Sequence, residues 1–185
     1  MLDCHEAGLL RPSAKEVAER AGVSTRAVFR HFENMEALLE AAAELQIERI
    51  TRELPPVLTT GPIEERIDAL VAQSARRNEA IAPVRRAALL SEPFSKVIRD
   101  RHRSARRHVR RQIRRIFAEE WARFSETERD RRISTIRALL SFGCWDELRR
   151  HERLPVSTAR QVLGATIRAQ FPEVRDDSRL TSGIR

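Results

Sequence analysis

Within the seven residues from Thr25 to His31, the chain places two guanidinium groups (Arg26, Arg30), an imidazole (His31), a hydroxyl (Thr25) and an aromatic ring (Phe29). Wound as a short helix, these groups fall on or beside one outer face, while Ala27, Val28 and Phe32 turn inward. That set of donors suits an acceptor-rich, anionic surface; a guanidinium such as that of Arg26 can bond the O6 and N7 of a guanine at once. Bond-making chemistry is another matter. No Ser/His/Asp set, pair of buried carboxylates, phosphate-cradling Gly loop or metal-ligand spacing stands out. His102 and His108 are six apart, about 240° around a helix, and His5, His31 and His151 are scattered. The sequence therefore predicts neither an enzyme, nor a metal site, nor a cofactor.

The flanking residues must hold that helix in place. Ser13 and Glu16 form a capping box, in which the hydroxyl caps a backbone N–H three residues on and the carboxylate reaches back. Val17, Ala18 and Ala21 follow as one apolar stripe. Gly22 sits where a helix ends in a left-handed conformation, and Ser24 can cap the next helix. A short helix laid across its predecessor, with polar and cationic groups at its start, fits a DNA major groove.

The ordered string Gly8, Ser13, Val17-Ala18, Ala21-Gly22-Val23-Ser24, Val28-Phe29-Arg30-His31-Phe32, Asn34 and Glu36-Ala37-Leu38-Leu39 resembles the DNA-binding head of the tetracycline-repressor (TetR) family of bacterial regulators. The resemblance spans residues 8 to 45 and implies an all-α protein with a helix-turn-helix head over 1–45 and a helical effector-binding and dimerisation body over 46–171. It implies a DNA-contacting set of Lys15, Ser24, Thr25, Arg26, Ala27, Phe29, Arg30 and His31. Thr25, Arg26 and Ala27 match base-reading positions, Phe29 and His31 match phosphate-contacting ones, and Lys15 matches a position that reaches base or phosphate. The implied partners are a double-stranded operator, a small-molecule effector and a second copy of the chain. The implied function is a ligand-responsive repressor, released from a palindromic operator by its effector.

Three departures from the family pattern bear on function. Phe29 stands where the family commonly has Tyr, leaving a core aromatic and a DNA-facing ring as alternatives. Met35 stands where it commonly has Lys, and reads more naturally as a packing residue. Only seven residues precede Gly8, with Cys4 where the family usually has Phe. A first helix of about one turn is expected, with the true start upstream of Met1 or the chain shortened. The shortened first helix and Met35 motivate the alternative function, a small-molecule-binding or interaction dimer with impaired DNA binding.

Composition narrows the setting. The net charge of +8 is unevenly placed: residues 1–50 hold six Lys/Arg against nine Asp/Glu, so the excess lies in the body. Between Arg11 and His31 the balance reverses, with five basic residues against Glu16 and Glu19. DNA binding is thus argued from spacing rather than from bulk charge. Cys4 and Cys144 lie far apart, no signal segment opens the chain and no apolar run is long enough for a membrane span. A cytoplasmic protein without membrane association is expected.

In the body, the patterning predicts a helix from Met35 to Glu53 stopped before Pro55-Pro56, and another from Gly61-Pro62 with Ile63, Ile67, Leu70, Val71 and Ser74 on one face. A short helix is expected from Pro83 to Leu90 and a long one from Phe94 to Trp121. A capping box at Ser125 and Glu128 opens a further helix to about Arg150, and Ser157 caps the last, to about Phe171. The tail over 172–185 reads as disordered. Ile133, Ile136, Leu140, Cys144 and Leu148, then Val162, Leu163, Ala165 and Ile167, form the stripes that the family resemblance assigns to a dimer interface; intramolecular core is the alternative. Trp121, Phe124 and Trp145 are candidate pocket walls, with core again the simpler reading. Arg99 to Arg115 holds nine arginines and two histidines against Asp100. It reads as a solvated, partly paired helix face; a pocket wall for an anionic ligand and an accessory nucleic-acid contact are the alternatives.

Overall fold

Local caps decide where the N-terminal helices begin. The Ser13 backbone N–H donates to the Glu16 carboxylate at 2.7 Å and the Glu16 N–H donates to Ser13 Oγ at 3.3 Å. This closes the expected capping box and starts α2 (Ala14–Ala21). Gly22 ends it at φ +67°, and Ser24 Oγ accepts from the Ala27 N–H to start α3 (Thr25–His31). Asn34 caps α4 (Met35–Glu53) through the Ala37 N–H at 2.9 Å. Ahead of them lies a five-residue helix, α1 (Leu2–Glu6), the short first helix that the sequence predicts. Together these elements bury Cys4, Val17, Ala18, Val28 and Leu38, with Met1, Phe32 and Met35 packed against them. Ala21, expected in that stripe, is exposed, because α2 turns only Val17 and Ala18 fully onto its neighbours.

The structure, a computed structural model, describes residues 1–54 and 56–172, and the regular structure among them is helical throughout. The body comprises α5 (Ile63–Ser91), α6 (Lys96–Ile116), α7 (Glu126–Leu139), α8 (Phe142–Asp146) and α9 (Val156–Arg168), with a 3₁₀ turn at Glu120–Arg123 and a π-helical turn at Glu147–His151. Its core joins Ile67, Leu70 and Val71 of α5 to Ile113 and Ile116 of α6, Ile133 and Ile136 of α7, and Leu163 and Ile167 of α9. The division at residue 45 falls inside α4, which runs unbroken from head to body.

Four expectations for the body need correction. The separate helices before and after Pro83 are one helix, α5. Pro83 removes one hydrogen-bond donor, yet Asn78 on one side and Val84 and Ala87 on the other are all buried, and that shared packing carries the helix through. The long helix begins at Lys96 and ends at Ile116, not at Phe94 and Trp121. Ser95 Oγ caps it through the Ile98 N–H, leaving Phe94 83% exposed, and the chain leaves helical geometry at Phe117. The helix opened by Ser125 stops at Leu139 instead of Arg150, because Ser141 caps a new start through the Cys144 N–H at 3.2 Å. The last helix starts behind Pro155, whose fixed φ suits a helix start, so Ser157 lies in its first turn rather than at its cap. The expected disorder of the tail falls, beyond Pro172, outside the described residues.

The buried pair of Arg66 and Glu120 ties the start of α5 to the end of α6. The Arg66 guanidinium donates to both Glu120 carboxylate oxygens, to the Ile116 carbonyl at 2.6 Å and to the Gly61 carbonyl at 3.0 Å. Every arm of the buried cation is thereby engaged with an acceptor, which is the condition for burying it at all. Trp121, Phe124, Phe117 and Phe171 pack ring on ring beside it. Trp121 is therefore core, not a pocket wall.

Candidate nucleic-acid interface

Helix α3 lies on α2 through Val28, which is buried, and Ala27, which is half-buried. Its remaining residues face outward. Thr25, Arg26, Arg30 and His31 are exposed, and among the described residues neither Arg26 nor Arg30 is paired with an acid. Two cations left free on one short helix are available to a partner's anions. Phe29 is 46% exposed, which settles its position: the ring lies on the outer face and not in the core. Ser24 is exposed but its Oγ already accepts from the Ala27 N–H at 3.1 Å, so its first duty is to hold the helix start. Lys15, at the first turn of α2, is exposed and only loosely paired, 3.8 Å from Glu19.

The structure thus brings Thr25, Arg26, Phe29, Arg30 and His31 together on one helix, with Lys15 on the adjoining one. Ala27 contributes mainly packing. Met35 packs on the head core, as its side-chain type suggests, and supplies no cation.

Residues 5–42 match the family model described as bacterial regulatory proteins, tetR family. The head of this chain is therefore similar to those of TetR-family regulators over residues 5–42. Across the fold as a whole the chain is similar to a transcriptional regulator from Rhodococcus sp. Rha1 known from its crystal structure. The two share 20% sequence identity over 90% of this chain and 88% of that one, with a TM-score of 0.70. That likeness extends the shared architecture from the head through the helical body. Among curated proteins, none matches the chain.

The head is tied to the body by contacts that sequence reasoning missed. Ser95, which caps α6, also donates from Oγ to Glu36 in the first turn of α4. Arg11 donates to the Leu90 carbonyl at the end of α5 at 3.0 Å, Gln46 of α4 donates to the Ala80 carbonyl at 3.0 Å, and Arg101 of α6 pairs with Glu44 of α4 at 3.1 Å. A Ser before a helix start is a legible cap signal, but nothing in the sequence places Glu36 beside it.

The arginine run on α6 sorts itself by partner. Arg110 and Arg114 share Asp130 at 2.9 and 2.8 Å, and Arg103 reaches Asp100 at 3.4 Å. His102 is buried, 2.7 Å from Glu92, and burial holds its pKa below the ordinary value despite that carboxylate. His108 is exposed. Among the described residues, no three His, Cys, Asp or Glu side chains are grouped to hold a metal, and no helix is long and apolar enough to cross a membrane. Trp145 is buried against a recess of about 380 Å³ between α5 and α8, and its indole N–H donates to Glu79 at 2.8 Å.

Proposed function

We propose that this regulator binds a palindromic operator as a homodimer and is released from it by a small-molecule effector. The observation that carries the reading is the exposed outer face of α3, where Arg26 and Arg30, among the described residues, stand unpaired beside Thr25. Lys15, Ser24, Thr25, Arg26, Ala27, Phe29, Arg30 and His31 form the proposed contact set. Arg26 is the principal base reader. Arg30, Lys15 and His31 address phosphates, and Ser24 fixes the helix start. Ala27, half-buried, offers at most a methyl contact.

A dimer follows from the need to occupy two half-sites about one helical turn, roughly 34 Å, apart. Ile133, Ile136, Leu140, Leu163 and Ile167 are buried within the single chain, so they support an interface from beneath rather than forming it. Val162 and Ala165 on α9 remain exposed for it. The contacts linking α4 to α5 and α6 give the body a route to the head: a ligand preferring one body arrangement shifts the population of head positions.

A second reading, a TetR-like ligand-binding dimer with impaired DNA binding, is favoured by one observation: Met35 and Phe29 offer no phosphate-directed cation or hydroxyl. A gel-shift experiment with the DNA upstream of the protein's own gene separates the two. A shift that competitor DNA of unrelated sequence does not abolish supports the operator reading; no shift at micromolar protein supports the second.

A further inference from the structure

Resting on the reading of this chain as a DNA binder, we propose that the exposed face of α6 is a second, sequence-independent contact for the phosphate backbone of duplex DNA. Lys96, Arg99, Arg103, Arg107, Arg111 and Arg114 recur at steps of three or four residues and are all exposed. That spacing sets them on one stripe about 27 Å long. It lies opposite Ile98, Ile113 and Ile116, which are buried. Few acids answer it. Asp100 takes Lys96 at 2.8 Å and Arg103 at 3.4 Å, and Asp130 of α7 takes Arg114 at 2.8 Å. Such exposed pairs are weak and yield readily to a partner. Arg99 donates to the Glu92 and Pro93 carbonyls at 3.0 Å, and neutral carbonyls leave its charge unbalanced. Arg107 and Arg111, at the centre of the stripe, have no acid or hydrogen-bond partner among the described residues. An ordinary solvated face mixes both signs of charge; this one concentrates a single sign.

Chemistry and position select the partner. Guanidinium groups fork onto phosphate oxygens. A duplex offers a phosphate roughly every 3.4 Å along each strand, and the i, i+4 arginines step by about 6 Å, within reach of successive phosphates. A helix lying on a membrane needs an apolar face beside its cationic one, but the apolar side of α6 is closed into the core. No aromatic ring interrupts the stripe to stack on an unpaired base. Ser95, just ahead of α6, bonds Glu36 in the first turn of α4, and Arg101 pairs with Glu44 further along that helix. The two helices therefore run side by side in the same direction. Because α4 follows directly on α3, the stripe begins beside the head. Its first cations, Lys96 and Arg99, lie within the field of a duplex held there.

The test is fluorescence anisotropy of the full chain with a labelled random-sequence duplex over a series of salt concentrations. Arg107→Gln combined with Arg111→Gln should weaken binding about tenfold near 0.1 M salt and lower the salt slope by about two units. Neither side chain holds another described part of the chain, so the melting temperature should stay unchanged. Arg107→Lys combined with Arg111→Lys keeps both charges and should keep most of the slope. In an Arg26→Ala background the two glutamines should have the same effect on the slope, because the stripe acts apart from α3. No binding of random duplex by the parent chain, a slope that the glutamines leave unchanged, or tighter binding to phosphatidylglycerol vesicles or polyglutamate than to duplex at equal charge would each overturn the assignment. The operator reading fails separately. DNA from upstream of the protein's own gene bound no more tightly than random duplex, with the effect of the glutamines intact, would contradict that reading and uphold the stripe.

Discussion

Arg26 stands exposed at the start of α3, and among the described residues no acid is paired with it. If it reads a guanine, Arg26→Ala should weaken operator binding by about 1–3 kcal/mol and relax preference at one base pair per half-site. Binding competition among single-base operator variants checks this; an equal loss on every sequence would make Arg26 a phosphate contact instead. The histidines act at the same scale. Burial is the largest cause lowering the pKa of both His5 and His102 from 6.5. A depressed folded-state pKa means that the unfolded chain binds protons first, so their contribution to stability is present above about pH 6.5 and is lost as the pH falls towards the folded-state values. Melting temperature should therefore drop between about pH 7 and pH 5, and replacing both histidines by glutamine should flatten that part of the curve. For His102 the opposing groups are Glu92, which favours its proton, and Arg85 and Arg106, which disfavour it.

At the scale of the element, the short head helices depend on their ends. Gly22 adopts φ +67° with open space where a Cβ would point, so Gly22→Ala carries only the backbone penalty, about 1 kcal/mol, and no clash. Ser13→Ala should cost about 1 kcal/mol through loss of the cap. Urea unfolding measures both. These ends were legible in the sequence because capping is local: Ser13 with Glu16, Gly22, Ser24 and Asn34 each act within four residues. The body was legible only where apolar periodicity decided the matter. Pro83 reads as a break, yet burial on both sides keeps α5 whole, and no local signal reports that burial. Ser141 is hard to read as a cap because Leu140, Phe142 and Trp145 continue an apolar pattern across a true helix end. Trp121 falls in register with α6 but lies beyond it, in the 3₁₀ turn.

For the whole molecule, the balance of cations and acids across elements matters more than their number. Arg66 and Glu120 lie 54 residues apart and meet in the interior, a pairing no spacing rule announces. Glu120→Ala should destabilise the fold by about 3–5 kcal/mol, because it leaves a buried guanidinium without its charge partner. Chemical denaturation reads this directly, and a loss below about 1 kcal/mol would show that the pair is solvated in solution. The family resemblance told which face of the head to inspect. It did not tell that Met35 packs inward, that Phe29 faces outward, or that the arginine run divides into residues paired with Asp130, Asp100, Glu44 and Glu92 and others left to solvent. Those outcomes depend on which acids the fold carries to α6 from α4, α7 and the end of α5.

On the proposed reading, α3 presents a sequence-reading surface and two copies of it act together. Selection of bound duplexes from a random-sequence DNA library by the full chain tests both parts at once. The expected result is enrichment of an inverted repeat whose half-sites lie about one helical turn apart, lost on Arg26→Ala. Recovery of no enriched sequence, or of a single half-site bound by one chain, would contradict it.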